Sequence, residues 1–142
     1  MLCAYLDHPI QRSMINPFQP GDTQSFIRTV RDADLARFDS GLVHAVYATF
    51  ALARDAEWAS RLFVLAMKED HEEGIGVSVS VEHLAPAPQG SDVRLTSTLV
   101  LVDGNRIECR WEAHLDEVLV TRGEQVQRIL PKERIAQVFA PR

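Results

Sequence analysis

Hydrophobic and polar residues alternate over most of the second half of the chain, which is typical of strands with one buried face. The strands predicted from this alternation are 75–83, 92–102, 106–115 and 118–130. Asp103-Gly104-Asn105 separates the second of them from the third, and an Asp-Gly pair suits the positive φ angles of a type I′ hairpin turn. The pattern therefore predicts an antiparallel meander, followed by a short helix over 132–139.

The first half of the chain combines one strand with a long apolar stretch. Residues 23–30 alternate and are rich in β-branched side chains, so they predict a strand, and 32–38 predict a short helical turn. From Gly41 to about Arg54 the apolar residues occur on nearly every side of a helical projection, and a helix that is apolar all round is buried. The segment 57–67 continues the helical pattern. We therefore expect one long central helix, with Asp39 or Ser40 as its N-cap.

The order of these elements predicts an α+β domain in which a curved antiparallel five-stranded sheet wraps around a long central helix. One curved sheet covers only part of a helix that is apolar on all sides, so the rest needs cover from a second copy. We therefore expect a homodimer, the commonest symmetric assembly, with a tetramer as the alternative. A single domain is predicted over 17–142, and 1–16 is interpreted as an N-terminal arm without an assigned function.

Composition and charge exclude several classes of function. The chain has 142 residues, of which 46% are hydrophobic and 25% are charged, as in ordinary soluble domains. Its net charge of −5 argues against nucleic-acid binding, and no stretch reaches the ~18 apolar residues of a membrane span. Cys3 and Cys109 are isolated and lack metal-ligand spacing, so we expect no metal and a reduced, cytoplasmic setting.

Candidate catalytic groups collect at the predicted helix start and at the end of the predicted strand 75–83. The Ser40 hydroxyl can donate to a substrate carbonyl, and the Gly41 N–H can approach a carbonyl oxygen because no side chain obstructs it. The neutral imidazole of His83 can act as a general base on water. Each residue also has a structural interpretation: an N-cap, a tight turn, and a strand-end histidine bonded to a loop carbonyl.

These elements resemble the hotdog fold, and in particular its fluoroacetyl-CoA thioesterase-like branch, over 17–130. The local anchors are Ser40-Gly41 and the segment Val81-Glu82-His83-Leu84-Ala85-Pro86. In that family a hydroxyl residue before the helix, a glutamate two turns into the helix and a strand histidine form the catalytic set. Carried over, the hydroxyl is Ser40 and the histidine is His83, whereas the glutamate position falls on Ala48.

The resemblance implies hydrolysis of a small acyl thioester at a dimer-interface site. Asp39 is then the nearest replacement for the missing helix carboxylate, and Gly41, His44 and Tyr47 are expected to bind the substrate. Coenzyme A belongs to the substrate, and no other cofactor is implied. Asp55 and Glu57 lie about four turns, or ~20 Å, from the predicted helix start, which is too far for the same site.

Two other functions stay open at this point. The spacing of Asp39 and His44 resembles the dyad of MaoC-type hotdog enoyl-CoA hydratases, in which both residues activate water for addition to an α,β-unsaturated thioester. The Asn-Pro that this family has between the two is absent here, where Gly41-Leu42 stands. The third hypothesis is a non-catalytic protein that binds an acyl-CoA or a related metabolite and has lost its chemistry with the carboxylate at Ala48.

Overall fold

A curved antiparallel sheet wraps one long helix in the computed structural model, which describes residues 14–141. In chain order the elements are β1 (Thr23–Thr29), a 3₁₀ turn (Asp32–Asp34), β2 (Leu35–Phe38), β3 (Gly41–Tyr47), α1 (Thr49–Met67), β4 (Glu72–Val79), β5 (Glu82–His83), β6 (Asp92–Asp103), β7 (Arg106–Leu115), β8 (Val118–Pro131) and α2 (Lys132–Phe139). The predicted α+β class and the C-terminal helix are both confirmed.

The main sheet has the strand order β1-β6-β7-β8-β4, and β5 pairs with β8 beyond the end of β4. The predicted strand 75–83 is therefore two strands, which are separated at Ser80-Val81. Ser80 is held there because its carbonyl accepts from the Trp111 indole at 3.1 Å and its N–H donates to Glu124. This break lets the chain end on His83 beside β8 while β4 forms an edge of the sheet.

The predicted start of the central helix was wrong. Residues 41–47 form β3, which makes a separate hairpin with β2, and the helix begins only at Thr49. The segment 35–38, predicted as a helical turn, is β2. Gly41 has a φ of 109°, which a side chain would strain, and it closes the turn between the two strands. The stretch after it is rich in strand-forming residues such as Val43, Val46 and Tyr47, whereas alanine, the best helix former, becomes frequent from Ala48 on.

The hairpin between β6 and β7 lies where it was predicted, with a different turn geometry. Gly104 is the first of two loop residues and has a φ of 62°. The second loop residue, Asn105, does not have a positive φ. A type I′ turn needs a positive φ at both loop residues. Glycine at the first central position with positive φ is the pattern of a type II′ turn, so the predicted turn type was wrong.

One side of α1 fills the concave face of the sheet and the other side is exposed. The inner side carries Ala51, Leu52, Ala56, Ala59, Phe63, Val64 and Met67, all at most 1% exposed. The outer side carries Phe50, Trp58 and Leu65, which are 45%, 42% and 42% exposed. The apolar residues expected all round the helix are present, but a single chain buries only half of them. Among the described residues no helix is long and apolar enough to cross a membrane.

A carboxylate network of Asp34 and Asp55 anchors the first turns of α1. Asp34 is completely buried and accepts from Arg31 at 2.8 Å and from Arg54 at 2.7 Å. The hydrogen bond from Arg31 holds the pKa of Asp34 well below its usual value, although burial alone would raise it. The Asp34 carbonyl also accepts from the Ala48 N–H, so this residue fixes the point where the helix begins.

Asp55 completes the network from inside the helix. It accepts from Arg28 on β1 at 3.0 Å, from Arg54 at 2.8 Å and from the Tyr47 hydroxyl. Burial would raise the pKa of Asp55, but the hydrogen bonds from Arg54 and Arg28 outweigh it and the pKa is lowered. Burial, together with the bond to Asp55, raises the pKa of Tyr47. The network therefore joins β1, β3 and α1 through two carboxylates that are kept in their charged form.

We expect Asp34→Asn to lower the free energy of unfolding at pH 7 by about 2 kcal/mol, because it removes charge-assisted bonds to a buried acceptor. Solvent screening of the half-exposed arginines keeps the effect below that of a fully buried pair. Since the Asp34 pKa is depressed, its contribution persists above the unfolded value of ~3.9 and is lost as the pH falls below it. Urea unfolding at pH 7 and pH 3 measures both effects.

The control for this prediction is Asp32→Asn. Asp32 is 71% exposed and pairs with Arg37 at 3.0 Å on the surface. Exposed ion pairs contribute little, so this variant is expected to change stability by less than about 0.5 kcal/mol. Equal losses in the two variants at pH 7 would contradict a special role for the buried carboxylate.

Candidate functional site

A hydroxyl and an imidazole meet where the helix begins. Thr49 is the first residue of α1, and His83 is the last residue of β5, where it is paired opposite Thr121 of β8. The Thr49 Oγ1 and His83 Nε2 atoms lie 2.8 Å apart, within hydrogen-bond distance. Both side chains are exposed to solvent in the single chain. A hydroxyl paired with a base in this way is a recurring element of sites for acyl chemistry.

The Thr49–His83 pair borders an open cavity of about 430 Å³. Its lining residues are Ala36, His44, Val46, Tyr47, Ala48, Thr49, His83, Leu84, Ala85 and Pro86. The loop after β5 closes one side because it returns along β3, where the Tyr47 N–H donates to the Ala87 carbonyl at 2.8 Å. The walls are mostly apolar and small, while the polar groups stand at the helix start. This is the usual composition of a small-molecule site.

The free backbone N–H groups of α1 lie at the same end of the helix as Thr49. The N-cap residue is Ala48, which provides no side-chain acceptor, and the first intrahelical bond is donated by Leu52 to Ala48. The N–H groups of 49–51 therefore have no acceptor within the helix. Such amides, together with the positive end of the helix dipole, stabilise an oxygen that gains negative charge.

Only some of the residues predicted for the site line the cavity. His44, Tyr47 and His83 line the cavity. Asp39 and Ser40 lie in the β2–β3 turn with Gly41 directly after them, and none of the three belongs to the cavity lining. Their predicted position at the start of the central helix was wrong, because that helix begins at Thr49, eight positions after Gly41.

Asp39 and His44 therefore do not face one cavity. His44 lies in β3 opposite Ala36 and lines the cavity, whereas Asp39 is exposed in the turn that precedes this strand. The strand between Gly41 and His44 alone spans about 10 Å. A dyad in which both side chains act on the same water is not assembled within the chain.

Glu57 takes the position that the family pattern reserves for the helix carboxylate. It lies eight residues after Thr49, which is two turns into the observed helix. Its carboxylate covers Gly76 of β4, where a Cβ would come within 2.0 Å of Glu57 Oε1. Sequence reasoning missed Thr49 and excluded Glu57 as too far from the predicted helix start. The signal that identifies them is the change from strand-forming residues to alanines at Ala48.

Within one chain, Glu57 does not reach the Thr49–His83 pair. Eight helical residues correspond to about 12 Å along the axis. The strand β8 gives the same answer, because His83 pairs with Thr121, whereas Glu57 contacts Gln125, four residues or about 13 Å further on. The carboxylate instead lies on the exposed side of α1, beside the edge strand β4.

Comparison with known proteins identifies the family. The family model described as FlK, fluoroacetyl-CoA-specific thioesterase, matches residues 30–133, which is more than half of the chain. The chain belongs to this family. A fluoroacetyl-CoA thioesterase from Streptantibioticus cattleyicolor is 33% identical over 75 residues, which are 51% of this chain and 54% of that relative. The match thus spans about half the length of the curated relative.

Solved structures show the same fold over nearly the whole chain. A thioesterase superfamily member from Thermus thermophilus is 35% identical with a TM-score of 0.84, and the match covers 88% of this chain and 93% of that one. A variant of fluoroacetyl-CoA thioesterase in complex with acetyl-CoA is 23% identical with a TM-score of 0.73, covering 85% and 96% of the two chains. The expected hotdog fold of the family is therefore confirmed.

Proposed function

We propose that this protein hydrolyses a small acyl-CoA thioester at a site that two copies of the chain share. The observation that carries the proposal is the 2.8 Å contact between Thr49 and His83 at the start of the helix. It brings a base and a hydroxyl to the cavity, next to backbone N–H groups that suit a carbonyl oxygen. Membership of the thioesterase family supports the same reaction.

The chemistry follows from this arrangement. The thioester oxygen lies against the N–H groups at the start of α1, and the Thr49 hydroxyl holds the attacking water beside His83. His83 removes a proton from this water as its oxygen bonds to the carbonyl carbon. When the tetrahedral intermediate collapses, the carbon–sulfur bond breaks and the protonated His83 returns the proton to the coenzyme A sulfur. The products are a carboxylic acid and free coenzyme A, and no further cofactor takes part.

A second copy supplies the carboxylate that one chain cannot bring to this site. In the described part of the chain no strand pairs with the outer edge of β4, and this edge lies beside the exposed apolar side of α1. Antiparallel pairing of two β4 edges about a twofold axis near Ser78 would lay the two α1 helices antiparallel. The partner's Glu57 would then stand at the level of Thr49, where it orients the water and offsets the positive charge on His83.

The cavity favours a short acyl group. A volume of about 430 Å³ must hold the acyl group together with the start of the pantetheine arm, so the space left for the acyl group is limited. Acetyl-CoA, which is bound to the fluoroacetyl-CoA thioesterase variant with the same fold, is the first substrate to test. The reduced, cytoplasmic setting predicted from the isolated cysteines suits a reaction that releases a thiol.

Release of free thiol from a panel of short acyl-CoA esters tests the reaction. We expect turnover that declines as the acyl chain lengthens. Loss of the crotonyl-CoA double bond without thiol release would instead indicate a hydratase. Thermal stabilisation by acyl-CoA without turnover of any ester in the panel would indicate a binding protein.

Mixing two inactive variants tests whether the site is shared. Each site of the proposed dimer takes His83 from one chain and Glu57 from the other. A heterodimer of Glu57→Gln with His83→Ala therefore has one intact site and one site that lacks both groups. Purified through different tags on the two chains, it is expected to recover roughly half of the wild-type activity. If both groups came from one chain, each site would lack one of them and the heterodimer would remain inactive.

A further inference from the structure

Two buried glutamines lie beneath Glu57 on the inner face of the sheet. Gln125 and Gln127 of β8 are 1% and 2% exposed, in a position where the neighbouring inward-facing residue, Ile129, belongs to the hydrophobic core. Burying two amides there costs free energy unless their polar atoms are bonded. The next inward-facing position is occupied by an isoleucine, so the presence of two long amides calls for a chemical reason.

Their hydrogen bonds converge on Glu57. Gln125 Nε2 donates to Glu57 Oε1 at 3.4 Å and to the Val126 carbonyl at 3.1 Å. Gln127 Nε2 donates to the Glu57 carbonyl at 3.2 Å and to Gln125 Oε1 at 2.8 Å. All four N–H groups of the two amides thus have acceptors. Rotating either amide by 180° would place oxygen against oxygen, so the network fixes both orientations.

The backbone of β4 defines the other side of the carboxylate. Glu57 Oε1 occupies the space that a side chain on Gly76 would need, so the carboxylate lies flat against this edge strand. With Gln125 beneath it and Gly76 beside it, the Glu57 side chain remains exposed to solvent in the single chain. A second copy that pairs with the β4 edge would therefore find it accessible.

We propose that Gln125 is a positioning residue that aims the Glu57 carboxylate at the active site of the partner subunit, with Gln127 holding Gln125 in its donating orientation. This inference rests on the proposed function, because it gives Glu57 a role in hydrolysis. Gln125 itself does not touch the substrate. An N–H donated to a carboxylate stabilises its anion and restricts its side-chain rotation, so the loss of that bond affects the rate rather than substrate binding.

The test compares Gln125→Met with the wild type and with Ser97→Ala. Methionine preserves the length of the side chain and removes the amide. We expect kcat for acetyl-CoA to fall about tenfold while KM changes less than twofold. Ser97 is equally buried and bonds Ser60 at 2.8 Å without contacting Glu57, so Ser97→Ala reports the effect of a lost buried hydrogen bond alone. Its kcat is expected to stay within twofold of the wild type.

A double-variant cycle separates positioning from stability. In the Glu57→Gln background, Gln125→Met is expected to cause no further loss of kcat, because the group it positions is already gone. Should Gln125→Met fail to fold, Gln127→Met is measured instead. It removes the hydrogen bond that orients Gln125, so kcat is again expected to fall. A wild-type kcat in Gln125→Met, or an equal loss in Ser97→Ala, overturns the inference but leaves the proposed function standing. An active Glu57→Gln variant overturns the role of Glu57 and with it this inference, whereas the absence of thiol release from the wild-type protein overturns the proposed function.

Discussion

Glu57→Gln is expected to lower kcat for acyl-CoA hydrolysis by about 10²–10⁴-fold, the range that a positioned acid–base group contributes. The amide keeps the size of the side chain and its place over Gly76. It lacks the negative charge that offsets the cation formed on His83, so the transition state loses stabilisation while substrate binding is nearly unchanged. Steady-state thiol release, with kcat and KM determined separately, measures the effect.

The matched control is Asp39→Asn, which removes the carboxylate that the sequence alone favoured. Asp39 is exposed in the turn between β2 and β3 and does not line the cavity. We expect its kcat to stay within about twofold of the wild type, as for most surface substitutions. A large loss in Asp39→Asn together with an unaffected Glu57→Gln would return the catalytic role to the turn.

The strands of the second half were predictable because their period is local. The strands β6 and β7 expose one face to water and bury the other, so alternation marks both the strand and its phase. The position of His83 followed from this pattern without any knowledge of the helix, and the structure places it at the cavity. The break at Ser80 was missed because it depends on a contact with Trp111, about thirty residues away in the sequence.

The helix start was not predictable from hydrophobicity alone. The segment 41–47 is apolar without a clear polar phase, so it satisfies a helical pattern and a strand pattern equally. Taking it as helix moved the whole catalytic pattern back by nine positions, from Thr49 to Ser40 and from Glu57 to Ala48. The eight-residue spacing expected between hydroxyl and carboxylate matches Thr49 and Glu57 on the observed helix, and it fell on Ser40 and Ala48 only because the helix start was placed too early.

Other parts of the site depend on contacts that no local pattern records. Gln125 and Gln127 occupy inward-facing positions of β8, where the sequence shows only a change from apolar to polar residues. Their role appears when Glu57 is placed above them by the packing of α1 on the sheet. The gap of about 12 Å between Glu57 and Thr49 likewise becomes visible only once both are on one helix. That gap is why the proposed site draws its carboxylate from a second copy.

His83→Ala is expected to reduce kcat for thiol release by about 10²–10⁴-fold, because the water near Thr49 then has no base to accept its proton. Added imidazole should restore part of this rate, since the deletion leaves an open space beside the cavity. Thr49→Ser keeps the hydroxyl that contacts His83 Nε2 and is expected to retain more activity than Thr49→Ala. Rates at saturating acetyl-CoA, with and without imidazole, provide the measurement.

His44→Ala provides the comparison for this last prediction, because His44 lines the same cavity on β3. Its imidazole has no bond to Thr49 among the contacts of the described chain, so its loss should change KM more than kcat. If His44→Ala abolished turnover and His83→Ala did not, the base would belong to β3 rather than β5. His44 would then be the general base, and the N–H groups at the start of α1 would still bind the thioester oxygen.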